Sequence, residues 1–250
     1  MKTFSGVTGI TFILIQGATC SGKTTVAEMV LRRIEKRKRV ALIPLDDFYA
    51  RRAFRHLEQR AKDYDFDNPA AFDWESLAEC IQGYLNKDEM IKMCSFDFIS
   101  QKFRVFYVAN TQPEIVIVEG LYAFNLFAKY SFDTARMEAW APPESNPYSL
   151  KENEHGFHLC QNTKVLLKMD KSATRALRYK RDTCSRYTRD EHDLFQMDLE
   201  ERFEKFIWAA RNKWVHAPHF EPDIVAENVV QSPSRCAHLV ETILEIIDNR

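Results

Sequence analysis

Short apolar runs alternate with amphipathic stretches along most of this chain. In one such stretch, Ala27, Val30, Leu31 and Ile34 recur at the spacing of a helix, and a second helical pattern ends near Ile247. The apolar runs, which have the length of buried strands, are 12–15, 40–43, 115–118, 165–169 and 224–225. This alternation predicts an α/β fold in which helices cover both faces of a mostly parallel sheet.

Parallel strands joined by right-handed crossovers end on one rim of the sheet, so the loops after them are expected to meet there. The loop after the first strand, Gly17-Ala18-Thr19-Cys20-Ser21-Gly22-Lys23-Thr24 and then Thr25, matches the phosphate-loop pattern G-x-x-x-x-G-K-[ST]. Its glycines let the backbone N–H groups and the helix N-terminus face an anion. Lys23 would pair with the terminal phosphates, and Thr24 would place its hydroxyl on Mg²⁺. A chance Gly-Lys turn is the alternative, but the strand before the loop and the helix after it favour a nucleoside triphosphate site.

Two acidic positions at the same rim fit phosphoryl transfer, which requires a proton acceptor beside the nucleophile and a metal ion. Asp46 follows the second strand and can face the phosphate loop. An Asp-Asp pair there is also typical of a turn or a helix cap, but Phe48-Tyr49 after it and the phosphate loop before it favour a catalytic Asp46. Glu119 ends the third strand, where its carboxylate can reach a metal-bound water.

Basic residues are concentrated between 171 and 190. From Lys171 to Arg189 the chain has one acid, Asp182, and seven basic residues, namely Lys171, Arg175, Arg178, Lys180, Arg181, Arg186 and Arg189. An ordinary solvated helix would intersperse glutamates, which this stretch lacks. The pattern predicts a helical lid over 171–190 whose arginines close on the triphosphate, because guanidinium groups grip phosphate oxygens in pairs.

Length and charge place the chain in a broad class. With 250 residues, 45% of them hydrophobic, it has the size of one domain spanning 1–250. Its 36 acidic and 35 basic side chains nearly cancel, which argues against broad electrostatic capture of nucleic acid or of a membrane surface. No apolar run has membrane-spanning length and residues 1–9 lack the layout of a signal peptide, so we expect a cytoplasmic location. The sequence leaves a homo-oligomer open.

Cysteine and histidine spacing adds little chemistry. The six cysteines are scattered without a C-x-x-C pair, which indicates free thiols in a reducing compartment. Cys20, at the start of a helix, is either a thiol of raised reactivity or simply a small loop residue. His155-x-x-His158 and His216-x-x-His219 have metal-like spacing but no carboxylate or cysteine partner in a defined motif, so they do not predict a zinc site.

The segment 133–160 differs in character, since Pro142, Pro143 and Pro147 break up regular elements. We interpret it as a surface insertion within the single domain. A solvated excursion before the next strand is the favoured interpretation, and a partner-binding or lid-like segment is the alternative.

Taken together, these motifs resemble the uridine–cytidine kinase family, within the wider uridine kinase and phosphoribulokinase group. The resemblance covers about 11–130 and, more weakly, 164–226, and leaves 133–160 outside. It rests on the phosphate loop, Asp46-Asp47-Phe48-Tyr49, Tyr64-Asp65-Phe66-Asp67-Asn68-Pro69-Ala70-Ala71-Phe72-Asp73 and Glu119-Gly120. The F-D-x-P-x-A-F-D string is the specific part, because many unrelated enzymes share a phosphate loop.

The resemblance implies a P-loop kinase fold with a small substrate-binding excursion and a helical lid. It also implies ATP and Mg²⁺ as cofactors and a nucleoside as substrate. Asp46 would be the base for the ribose 5′-hydroxyl, Tyr49 would contact the nucleoside, and Asp67 would hold the ribose hydroxyls. Arg178, Arg181 and Arg186 match three lid arginines of the family in spacing.

Three positions depart from the family pattern. A tyrosine and a histidine that read the pyrimidine fall here on Phe96 and Gln101, and a further lid arginine falls on Thr188. The reaction type survives these changes, whereas the identity of the base is left open. A nicotinamide riboside kinase, which shares Asp46-Asp47-Phe48, Glu119-Gly120 and Phe124-Asn125, is the rival within the class. A nucleotide-sensing protein without turnover is the rival outside it, and a sensor has no need of a base at Asp46.

Overall fold

The computed structural model describes residues 9–50, 64–97, 102–185 and 199–249. The strands are β1 (Thr11–Gly17), β2 (Val40–Pro44), β3 (Met90–Asp97), β4 (Lys102–Ala109), β5 (Ile115–Gly120), β6 (Tyr130–Phe132), β7 (Leu150–Glu152), β8 (Asn162–Lys168) and β9 (Ile224–Glu227). The helices are α1 (Lys23–Ile34), α2 (Trp74–Asn86), α3 (Lys171–Ser185), α4 (199–215) and α5 (Pro233–Asp248). Within α4, Phe203–Trp208 and Arg211–Val215 are π-helical. In these ranges no helix is both long and apolar enough to cross a membrane.

The central sheet has five parallel strands in the order β2-β5-β1-β8-β9. At the middle strand, Ile15 lies opposite Glu119 on one side and Val165 on the other. Because these strands are parallel, the carboxyl ends of β1, β2, β5 and β8 meet at one rim. The predicted α/β architecture, with its mostly parallel sheet, is confirmed.

Each face of the sheet buries its own apolar cluster. Ile13 and Ile15 point into a cluster with residues of α1 and α5. Phe12 and Leu14 point to the opposite face, into an aromatic-rich cluster with residues of α2 and α4. Burial on both faces explains why the strands are continuous apolar runs rather than alternating ones.

A helix and a hairpin between β2 and β5 were not predicted from the pattern. Asp73 begins α2, since its carboxylate accepts the Ser76 backbone N–H and the Ser76 hydroxyl, both at 3.0 Å. β3 and β4 then pair antiparallel from Met90↔Ala109 to Asp97↔Lys102. Most of β4 is exposed, and its sequence lacks the alternation of apolar and polar residues that predicts a half-buried strand.

The segment 133–160 is partly exposed and partly packed into the core. β7 within it pairs with β6, and Met137, Ala139 and Phe157 are buried in the main apolar cluster. The prolines of this segment have no backbone N–H to donate. The buried side-chain amides of Asn146 and Asn153 donate to backbone carbonyls. The segment is therefore not solvated throughout, and its interpretation as a surface insertion stays a prediction.

Candidate active site

The phosphate loop joins β1 to α1 with a backbone that its sequence makes possible. Gly22, the N-cap of α1, has φ 94°, a left-handed conformation that favours glycine. Cys20 also lies in the left-handed region, at φ 59°. A Cβ on Gly17 would lie 2.6 Å from the Leu167 carbonyl oxygen, so β8 approaches the loop too closely for any side chain. The loop is thereby curled against the sheet rim.

Lys23 and Thr24, the first two residues of α1, point to opposite parts of the rim. The Lys23 ammonium donates to the Ala18 carbonyl at 3.0 Å and so lies across the loop. The Thr24 hydroxyl donates to Glu119 Oε1 at 2.9 Å, next to the end of β5. Thr25 follows as an exposed residue of α1.

The Thr24–Glu119 pair offers two hard oxygen donors, which suits Mg²⁺, an ion that binds one or two protein oxygens and keeps most of its water. Burial raises the pKa of Glu119, and the Lys23 charge acts against that rise. Within the described ranges, no group of three or more His, Cys, Asp or Glu side chains could hold a metal ion. The residues present therefore fit a hydrated magnesium ion and not a closed site of several ligands.

The two aspartates after β2 have different surroundings. They lie in a 3₁₀ turn over Leu45–Phe48, where Asp46 is half-buried. Asp47 Oδ1 accepts the Phe96 backbone N–H at 3.2 Å and so ties this turn to β3. Burial raises the pKa of Asp47, the Phe96 hydrogen bond opposes that rise, and the Asp46 charge adds to it. The Asp46 charge also raises the pKa of Glu119, so Asp46 lies near the end of β5.

Asp67 links the acidic and basic sides of the site. It is only 7% exposed, and burial raises its pKa. The charges of Arg178, Arg181 and Lys23 act against that rise, while Asp46 adds to it. Four residues that the sequence analysis singled out at separate positions along the chain are thus close enough to Asp67 to influence its charge.

On α3, Arg178 reaches the phosphate loop. Its Nη1 donates to the Thr19 hydroxyl at 2.9 Å and its Nε to Asp182 Oδ2 at 2.6 Å, while Arg181 Nε donates to Asp182 Oδ1 at 3.1 Å. Burial alone would lower the pKa of Arg178, but the carboxylates of Asp182 and Asp67 raise it above its ordinary value. Asp182, whose side chain is 3% exposed, therefore orients both arginines.

Tyr49 and Phe96 lie in one buried aromatic cluster. The Tyr49 ring stacks on Phe72 at 4.6 Å between centroids, and the edges of Phe96 and Phe66 meet it at 5.6 Å and 5.7 Å. The cluster lies beside Asp67 in sequence and beside Asp47 through the Phe96 hydrogen bond. Gln101 and Arg186, the remaining predicted site residues, lie outside the described residues.

Sequence reasoning missed two residues of this site. Buried Gln16 donates to the Val215 carbonyl at 2.7 Å and accepts the Phe124 N–H at 3.0 Å, which ties α4 and the loop after β5 to β1. The Tyr122 hydroxyl donates to the Asp67 carbonyl. A glutamine inside a continuous apolar strand is the one feature that could have indicated the first contact.

The similarity of this chain to known proteins tests the family resemblance. Residues 12–127 match the model of the phosphoribulokinase / uridine kinase family. The match contains the phosphate loop, Asp46, Asp67 and Glu119, so the resemblance indicated by those motifs is confirmed.

Individual relatives agree with the family match. The uridine kinase of Mycoplasma genitalium is 38% identical over 110 residues, which are 44% of this chain and 50% of that protein. Uridine kinase-like protein 4 of Arabidopsis thaliana is 34% identical over 44% of this chain, but the match spans only 23% of its length. Uridine-cytidine kinase B of Dictyostelium discoideum is 26% identical over 92% of this chain and 82% of its own.

Solved structures support the fold. A protein described as a fructose transport system kinase, from Silicibacter sp. TM1040, has a TM-score of 0.59 at 17% identity and covers 90% of this chain and 92% of its own. The D-glycerate 3-kinase of Cryptococcus neoformans has a TM-score of 0.50 at 14% identity and covers 90% of this chain and 89% of its own. At these identities the likeness concerns the fold alone.

Proposed function

We propose that this chain transfers the γ-phosphate of ATP to the 5′-hydroxyl of a pyrimidine ribonucleoside, uridine or cytidine. The observation that carries the proposal is that α3, the phosphate loop and β5 meet at one rim, where Arg178 donates to Thr19 and Thr24 to Glu119. Buried Asp67 lies close enough for the charges of Lys23, Arg178 and Asp46 to shift its pKa. A hydroxyl acceptor held by Asp67 would lie between a proton acceptor and the phosphate-binding groups, as phosphoryl transfer requires. The names of the uridine kinase relatives support the same reaction.

On the donor side, the backbone of residues 17–24 would bind the phosphates, and Lys23 would exchange its contact with the Ala18 carbonyl for a phosphate oxygen. Arg178, already hydrogen-bonded to Thr19, would contact the same phosphates. Arg181 would stabilise charge on the transferring group when the lid closes, and we expect Arg186 to join it. Fixed guanidinium donors at such a place stabilise the transition state more than the ground state.

Thr24 and Glu119 would hold the magnesium ion, directly or through its water. When bound, the ion neutralises negative charge on the phosphate oxygens. The 2.9 Å hydrogen bond between the two side chains keeps both oxygens at the rim.

On the acceptor side, Asp46 would accept the proton of the 5′-hydroxyl as the new bond to phosphorus forms. Asp67 would accept hydrogen bonds from the ribose hydroxyls, and the aromatic cluster around Tyr49 and Phe96 would bound the base. Gln101 completes the proposed base contacts. Its amide both donates and accepts, so it suits uracil and cytosine alike. A cytoplasmic location remains a prediction.

Nicotinamide riboside is the alternative acceptor, and a non-catalytic nucleotide sensor is the less favoured reading. Asn125, one of the residues shared with nicotinamide riboside kinases, is buried and accepts the Phe132 N–H at 2.9 Å. Its observed contact is therefore structural, so it adds no support for that substrate.

A coupled assay with ATP, Mg²⁺ and a panel of nucleosides tests the proposal. We expect turnover of uridine and cytidine with kcat/KM values within roughly tenfold of each other, since neither base leaves a fixed polar group unpaired. Turnover of nicotinamide riboside alone would support a nicotinamide riboside kinase instead. ATP binding without consumption, in the presence of every nucleoside of the panel, would support the sensor and overturn the proposal.

A further inference from the structure

Residues 64–68, which include Asp67, are held in place by the segment 133–160. The Asp65 N–H donates to the Ala139 carbonyl at 2.7 Å. The Asn68 side chain donates to the Glu138 carbonyl at 3.3 Å. In addition, the rings of Tyr64 and Trp140 meet edge to face at 4.8 Å. Three successive residues of 133–160 thus contact the stretch that carries the acceptor-binding carboxylate.

Those three residues begin a loop, residues 138–146, that one side chain organises. We call it the Asn146 loop. Asn146 is 5% exposed, its Oδ1 accepts the Glu138 N–H at 2.7 Å, and its Nδ2 lies within hydrogen-bond distance of the Glu138, Ala141 and Pro142 carbonyls at 3.1, 3.1 and 3.2 Å. Lys213 of α4 fixes the loop from outside by donating to the Pro143 carbonyl at 2.6 Å and to the Asn146 carbonyl.

From the Asn146 loop, a short series of hydrogen bonds reaches Asp67. Asp65, whose N–H is bound by Ala139, accepts the Asp67 N–H on its own Oδ1 at 3.0 Å. The carbonyl of Asp67 accepts the Tyr122 hydroxyl. Both backbone polar groups of Asp67 are therefore committed, which fixes the backbone position from which its carboxylate projects.

Asp65 is fully buried, and among the described residues its Oδ2 has no hydrogen-bond partner. Burial and the neighbouring Asp67 charge raise its pKa well above the ordinary value. An amide in its place would supply the same acceptor to the Asp67 N–H without a buried charge.

We propose that the Asn146 loop is a positioning element of the acceptor site, and that Asn146 and Asp65 are positioning residues that set the orientation of Asp67 without touching the substrate. The inference deepens the proposed function and rests on it. Since misplacing a binding group by about 1 Å can cost up to about 100-fold in rate, loosening the loop should reduce kcat/KM for the nucleoside by about 10- to 100-fold. The KM for ATP should change less than about twofold, because the phosphate loop makes none of these contacts.

The chain offers a matched control in Asn153, another buried asparagine of the same segment. It too is 5% exposed, its Oδ1 accepts the His155 N–H at 3.1 Å, and its Nδ2 lies near the carbonyls of Asn125, Leu126 and Ala128, away from residues 64–68. Asn146→Ala and Asn153→Ala should therefore lower Tm to similar extents. Only Asn146→Ala should reduce kcat/KM for the nucleoside.

A second pair of variants acts at the other end of the hydrogen-bond series. Asp65→Asn keeps an oxygen acceptor for the Asp67 N–H and should retain nucleoside kinetics within about twofold. Asp65→Ala removes that acceptor and should reproduce the loss seen with Asn146→Ala. Equal losses in Asp65→Asn and Asp65→Ala would overturn the role of this hydrogen bond, and this pair remains informative if Asn146→Ala fails to fold.

Hydrogen exchange on the full chain without substrate makes the test independent of the acceptor. The amides of Asp65, Asp67 and Asn68 should exchange faster in Asn146→Ala than in Asn153→Ala. Equal exchange in the two variants, or faster exchange with unchanged nucleoside kinetics, would overturn the inference. If the wild-type chain phosphorylates no nucleoside, the proposed function falls, while the exchange comparison still decides whether the loop holds residues 64–68.

Discussion

Lys23 places one ammonium group near several other charged side chains of the site. Replacing it with alanine removes a charge-assisted contact to the terminal phosphates, so ATP affinity and turnover should both fall. Lys36, an exposed lysine after α1, provides the matched control. Calorimetric titration of ATP into Lys23→Ala and Lys36→Ala measures the effect, and equal ATP affinity in the two variants would remove Lys23 from the phosphate site.

We expect Asp67 to make the site selective for the ribose of the acceptor. If it pairs with ribose hydroxyls, deoxyuridine leaves a buried carboxylate without its partner, at a cost of about 1–3 kcal/mol in transition-state binding relative to uridine. The ratio of kcat/KM values for uridine and deoxyuridine reports this directly. Asp67→Asn should weaken uridine far more than deoxyuridine, and a wild-type ratio near one would contradict the assigned role.

The sequence could identify residues whose spacing is local, such as Lys23 and Thr24 in the phosphate loop. Asp46 and Asp67 could also be found, because they occupy fixed motifs. Tyr122 acts through Asp67, which is distant in sequence, and nothing in the local pattern distinguishes it. Asp182 stands out as the one acid of the basic segment, but the sequence does not show that it binds both Arg178 and Arg181. For such residues, only the folded arrangement shows what they orient.

Among the helices, α3 tests whether the basic segment is a lid. Arg181→Ala should reduce kcat/KM on the order of 10²-fold and leave nucleoside binding nearly unchanged, because the guanidinium engages the transferring group mainly after closure. Arg175 on the same helix pairs with Glu200 at an exposed position and serves as the control. Steady-state kinetics of the two variants make the comparison. Wild-type kinetics for Arg181→Ala would show that this arginine only binds Asp182.

The elements β1 and α1 could be predicted from the sequence, because β1 is buried along its length and α1 buries one face at helical spacing. The segment 133–160 could not, since part of its order comes from Asn146, which donates to carbonyls within the segment, and from Asn153, which donates to the Leu126 carbonyl outside it. The exposed strand β4 could not be predicted either, because little of it is buried and its apolar and polar residues do not alternate.

At the scale of the whole molecule, two histidines after α4 predict sensitivity to acid. Burial, together with nearby positive charges, lowers the pKa values of His216 and His219 from 6.5 to about 4; the charges are Arg211 and Lys168 for the first and Lys164 for the second. Between these values the unfolded chain binds protons that the folded chain does not. The free energy of unfolding should therefore fall as the pH drops from 6.5 towards 4.

Urea unfolding at pH 7 and at pH 4.5 measures that loss. His216→Gln, which cannot ionise, should lose less stability between the two pH values than the wild-type chain. His238→Gln, at an exposed position on α5, is the control and should lose as much as the wild type. Identical pH dependence in all three proteins would exclude His216 as a source of the acid sensitivity.

The fold of the whole molecule was the most predictable feature, because five apolar strands separated by helical or longer segments allow few arrangements other than a parallel sheet. That sheet brings Asp46, Lys23 and Glu119 to one rim whatever the loops do. The substrate cannot be predicted in the same way, since it depends on how segments such as 64–68 and 133–160 pack on each other.

The central claim is that this rim catalyses phosphoryl transfer with Asp46 as proton acceptor. The most direct measurement is single-turnover phosphorylation of uridine by the wild-type chain and by Asp46→Asn, with the ATP affinity of both determined by calorimetry. We expect Asp46→Asn to bind ATP as the wild type does and to react at least ~10²-fold more slowly. Loss of ATP binding in Asp46→Asn, or phosphorylation at the wild-type rate, would contradict the account.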